Sequence, residues 1–183
     1  MSFHIGTGDL SDVLADRAQL GFRAVFGNAG VGAFMGNAQS ILDIIFGGVC
    51  HKFPTLKFFS VESGVGWLPS FLELCDWQWV NNDVVKEHPE WKLLPSEYFK
   101  RQIYGSFWFE TERSGLENAL KFLPNNIMWE TDFPHPTSQY PALKKGWAQR
   151  PRDYVNNQLT FLSEETLRKA LHTTAAKVFN LAA

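Results

Sequence analysis

The chain has 183 residues, of which 45% are hydrophobic and 20% charged, enough for one domain with a sizeable core. Its 17 basic and 19 acidic residues leave a formal net charge of −2. No basic surplus exists to neutralise a phosphate backbone, so nucleic acid is not an expected partner.

Residues 2–5 are apolar apart from His4, and Gly6-Thr7-Gly8-Asp9 follows as a turn, which predicts the end of a buried strand. Residues 9–24 mix polar and apolar positions at helical spacing. Residues 36–50 place Ala38, Ile41, Leu42, Ile45 and Phe46 on one helix face, and Gly47-Gly48 weakens that helix at its C-terminal end. Phe53-Pro54 breaks the chain. The run 56–61 has strand length, and Glu62-Ser63-Gly64 ends it. A helix is predicted over 70–80, then a polar loop or broken helix with two prolines over 81–95. Residues 98–109, aromatic and β-prone, are a third strand candidate. Residues 114–122 suggest a helix with Ser114 as N-cap, and 126–129 form a fourth short apolar run. A last helix starts at Ser163, carries Glu164 and Glu165 in its first turn, and runs toward Phe179. No leader and no membrane span is expected, because no basic n-region and no long apolar segment is apparent. Cys50 and Cys75 match no zinc or redox spacing and read as buried reduced thiols in a cytoplasmic protein.

Strand-like runs thus alternate with helical segments four times, which implies a parallel sheet with right-handed crossovers. Reactive side chains in such sheets sit where the strands end. That rule selects His4, Glu62, the Glu110 region and Asp132. Imidazole and carboxylate suit Zn²⁺ and other divalent cations. A bound cation lowers the pKa of its water, and a neighbouring carboxylate then exchanges the proton. His4 and Asp132 are too few to hold a metal alone, and Glu62 is a candidate third ligand. Each also has a structural reading: His4 bonded to a backbone carbonyl, Glu62 paired with a Lys or Arg, Asp132 capping a turn. His135, between two prolines, reads as a rigid-loop residue. His51, His88 and His172 receive no role. The glycines of 27–36 do not follow G-x-G-x-x-G, and neither G-x-S-x-G nor a P-loop lysine is present.

Four segments resemble the C-terminal half of the amidohydrolase-related family, the metal-dependent group that includes aminocarboxymuconate-semialdehyde decarboxylase and the benzoate-type decarboxylases. They are FHIGTGD (3–9), FPTLKFFSVESGVGWLP (53–69), NIMWETDFPHP (126–136) and ALHTTAAKVFNL (170–181). The resemblance implies a partial (β/α)₈ barrel, strands five to eight with their helices, as one domain over 1–183. It implies His4 and Asp132 as ligands of a divalent metal, with Zn²⁺ expected. Asp132 would also serve as acid/base, with Glu62 supporting the site and Glu130 only flanking it. Glu62 stands where many members have a histidine, and Thr173-Thr174 where an Asn is usual. The implied activity is hydrolysis or decarboxylation of a small carboxylate or C–N substrate. The family's strand-one metal motif would lie upstream, so the expectation is a truncated product, a fragment or a start assigned too late. A non-catalytic half-barrel is the alternative. Four open-sheet strands would leave two edges, so self-association is also expected.

Overall fold

The computed structural model describes residues 1–4, 18–135, 138–139 and 147–181. The turn 6–9, and most of the predicted helical stretch 9–24, lie outside the described residues. Four parallel strands, β1 (Ser2–His4), β2 (Phe58–Val61), β3 (Ile103–Phe107) and β4 (Ile127–Trp129), lie in chain order across one sheet. Phe3 pairs with Ser60, Phe59 with Tyr104, and Ser106 with Met128. Pairing each strand with the next in sequence requires a crossover every time, and helices supply them.

The first crossover is α1 (Phe22–Phe46), followed by the single-turn α2 (Val49–Lys52). The second comprises α3 (Leu68–Asn81), the short α4 (Val84–Glu87) and α5 (Pro95–Gln102). The third is α6 (Arg113–Phe122). After β4 come α7 (Pro151–Gln158), α8 (Glu164–Arg168), a π-helical turn over Lys169–Thr173 and α9 (Thr174–Phe179). Side chains from α1, α3, α5 and α6 meet the sheet in one core that includes Ile41, Ile45, Phe58, Leu72, Trp79, Phe99, Phe107 and Leu120.

Alternation along the strands separates the two sheet faces. Ser60 touches Asn37 of α1, and the space beside Gly105 is filled by Val65 and Leu68, so these positions face the helices. Phe59 meets Phe179 of α9 on the other face. The inner strand β3 is buried at all five positions. β1 is not the buried strand expected, because Ser2 and His4 are exposed. Among the described residues it is an edge strand, with β2 on one side and no further strand on the other.

Three other expectations need correction. Residues 98–102 are not strand but the end of α5. Pro95 fits the first helical turn, and the Glu97 carboxylate accepts the Leu94 N–H at 2.8 Å, closing the N-terminus. Glu112, not Ser114, caps α6, its carboxylate accepting the Ser114 N–H. Finally, α1 starts 14 positions earlier than the helix read at 36–50, and absorbs the glycines of 27–36. By length and composition alone it could cross a membrane, although no long apolar segment was expected. Its second half instead packs into the core through Ala38, Ile41 and Ile45, and buried Asn37 ties it to β2. Its first half leaves Phe22, Phe26, Val31 and Met35 exposed.

Candidate metal centre

The C-terminal ends of the strands converge on carboxylates. Glu62 directly follows β2 and is 5% exposed. Its backbone is left-handed, with φ 60°, and so is that of Asp132 beyond β4, with φ 56°. A left-handed residue turns the chain sharply, so both side chains swing away from the strand line into the space above the sheet. There Glu62, Asp132 and His135 present ligand atoms within 4.8 Å of one another, the one group of three such side chains among the described residues. His135 Nδ1 is 3.1 Å from Asp132 Oδ2. That oxygen is buried, and beyond the His135 contact no hydrogen bond reaches it among the described residues. His4 enters through Glu62, its Nε2 2.9 Å from Glu62 Oε2. Burial pushes the Asp132 carboxyl above its ordinary range, and His135 and then His4 pull it part of the way back.

Two further carboxylates hold the loops. Glu130 Oε1 accepts the Glu62 N–H at 3.0 Å and the Ser106 hydroxyl at 2.6 Å. Burial raises its pKa, while Ser106 and His4 oppose that rise. Glu110 Oε1 accepts the Val65 N–H at 2.7 Å, and its Oε2 accepts from the Trp108 N–H. Burial pushes Glu110 up to about 7, against the pull of those amide donors. Its backbone carbonyl accepts the Tyr154 hydroxyl at 2.7 Å. The loop after β2 is therefore pinned to the exits of both β3 and β4.

Of the residues selected from sequence, Glu62 and Asp132 converge, and His4 contacts Glu62. Among the described residues Glu62 pairs with His4, not with a Lys or Arg. Two participants were missed. His135 lies three residues after Asp132 in a tight turn, and a His that close to a strand-end Asp was the available signal. Glu130 is two residues before Asp132, and strand alternation puts 128 and 130 on the face that carries Ser106.

The donors are two carboxylates and one imidazole, a set that suits a divalent cation. The amidohydrolase family model matches residues 1–181. The chain belongs to the amidohydrolase family. No curated protein matches the sequence. Among solved structures, this amidohydrolase is similar to a 5-carboxyvanillate decarboxylase from Novosphingobium aromaticivorans with bound manganese and 3-methoxy-4-hydroxy-5-nitrobenzoic acid. The TM-score is 0.66 and the identity 19%, over 98% of this chain and 48% of that one. A dihydroxybenzoic acid decarboxylase from Polaromonas sp. JS666, with manganese and 2-nitroresorcinol, gives 0.60 and 20%, over 98% and 49%. The 5-carboxyvanillate decarboxylase of Sphingomonas paucimobilis gives 0.59 and 22%, over 84% and 41%. The chain thus spans less than half the length of each of these structures. The shared fold is α/β with a parallel sheet, similar to that of the amidohydrolase barrels.

Proposed function

We propose that this amidohydrolase carries part of the metal site of a decarboxylase acting on a small, aromatic or enoic carboxylate. The observation that supports this reading most directly is the meeting of Glu62, Asp132 and His135, with one Asp132 oxygen buried against His135. Manganese in two of the similar decarboxylases agrees with a divalent cation. Zn²⁺, the expectation from sequence, uses the same donors. When bound, the cation supplies positive charge that orients a carboxylate substrate. The protein's own groups do the rest. Asp132, the candidate acid/base at the end of β4, would pass a proton to the carbon that releases CO₂. Glu62 keeps His4 at the strand mouth through their 2.9 Å contact. Trp67 and Phe133 flank the exits of β2 and β4 and would wall a flat substrate.

The four strands read as half of a barrel, corresponding to strands five to eight. A second reading follows from the chain's share of its structural neighbours: a half-barrel that binds metal weakly and needs further protein, or another copy, to turn over. Metal content and Mn²⁺ titration separate these cases. Wild type should bind one divalent cation, and Asp132→Asn should lose at least roughly tenfold in affinity. Binding unaffected by Asp132→Asn refutes the assigned site. Binding without CO₂ release from a dihydroxybenzoate favours the second reading.

A further inference from the structure

Glu62 occupies a left-handed backbone conformation that a side chain with a Cβ rarely adopts. Something must hold it there. Its N–H is taken by Glu130 Oε1 at 3.0 Å, and that same oxygen is fixed by the Ser106 hydroxyl at 2.6 Å. Glu130 has its own anchor, because its N–H donates to the Phe107 carbonyl at 3.0 Å and so extends the β3–β4 ladder beyond Trp129. Ser106 is fully buried and reaches toward the Ser60 carbonyl. Ser60 in turn shares hydrogen bonds with Ser63 and Asn37. The network runs from α1 across β2 and β3 to β4, and its free end is the Glu62 amide. Glu110, which binds the Val65 N–H, holds the same loop three residues later but leaves Glu62 untouched.

We infer that Glu130 is a positioning residue: it locks the backbone of Glu62 so that the Glu62 carboxylate meets Asp132 and His135. The inference deepens the metal-site reading and rests on it for its consequence, though not for its geometry. A Gln at position 130 still offers one oxygen to both donors, whereas an Ala offers none. Amide exchange in the metal-free protein reads the lock directly. Glu130→Gln should leave the Glu62 amide protected as in wild type, and Glu130→Ala should speed its exchange about tenfold or more. Mn²⁺ titration reads the consequence. Affinity should fall about tenfold in Glu130→Ala and stay within about threefold in Glu130→Gln. An unchanged Glu62 amide in Glu130→Ala overturns the lock. Equal affinity losses in both variants would mean that the charge of Glu130 acts on the cation itself, which also overturns the inference. A wild-type chain that binds no Mn²⁺ sinks the metal reading, and the exchange data still judge the lock. Should Glu130→Ala fail to fold, Ser106→Ala removes one donor to Glu130 and should give a smaller rise in exchange at Glu62; no rise overturns the inference.

Discussion

Gly64 shows how tightly the exit of β2 is built. Its φ is 66°, and a Cβ there would lie 2.5 Å from the Phe109 ring and 2.7 Å from Glu110 Oε1. Gly64→Ala should therefore cost about 2 kcal/mol or more, measured by urea unfolding, because left-handed strain and a displaced carboxylate add. Glu110 gives the fold a pH dependence of definite sign. Its folded pKa is raised from 4.5 to about 7. The stability it contributes is complete below pH 4.5 and is lost as pH rises through about 7. The integrated effect is roughly 3 kcal/mol at most. Glu110→Gln, which keeps an acceptor without the titration, should flatten the stability profile between pH 4.5 and 7. A variant profile as steep as wild type would assign the slope elsewhere. The strand-end rule made Glu62 and Asp132 legible in the sequence. Spacing and alternation hinted at His135 and Glu130, but their roles rest on a turn and on a cross-strand hydrogen bond that linear spacing alone does not establish.

Among the elements, α5 depends on a residue outside itself. Asn126, 2% exposed and just before β4, donates through Nδ2 to the carbonyls of Phe99, Lys100 and Ile103. It satisfies helix-end acceptors that water does not reach. Asn126→Ala should destabilise the protein by about 2–3 kcal/mol in thermal or denaturant unfolding, with Asn126→Asp no better because the donor is gone. Helix α5 is also where sequence reading failed. Tyr98, Phe99, Ile103 and Tyr104 look alike as β-formers, yet the break falls at Gln102, whose Nε2 donates to the carbonyls of Phe53 and Leu56. The Leu94-Pro95-Ser96-Glu97 start signal was present and was outweighed by aromatic content. Elsewhere the helical period sufficed, as at α6, and the Ser163 cap of α8 formed as expected, with its hydroxyl accepting the Thr166 N–H at 3.2 Å.

On the scale of the molecule, β1 and β4 each have a strand neighbour on one side among the described residues. The exposed Phe22, Phe26, Val31 and Met35 add apolar surface on α1. Sedimentation velocity should show association that grows with protein concentration, and a single monomeric species at tens of micromolar would contradict it. The alternation of apolar runs made the parallel sheet readable from sequence, whereas the length of α1 was not, because glycine-rich composition hid a helix whose first half packs little. The strictly sequential strand order also bears on how the chain finds its fold. Gly105 pairs with Ile127 across the short α6 connection, whereas Ser2 must wait for Phe59 beyond the whole of α1. Closing the smaller loop sacrifices less chain entropy, so the β3–α6–β4 unit should nucleate and β1 should dock last. Destabilising substitutions in α6 should then slow refolding, and those in β1 should mainly quicken unfolding.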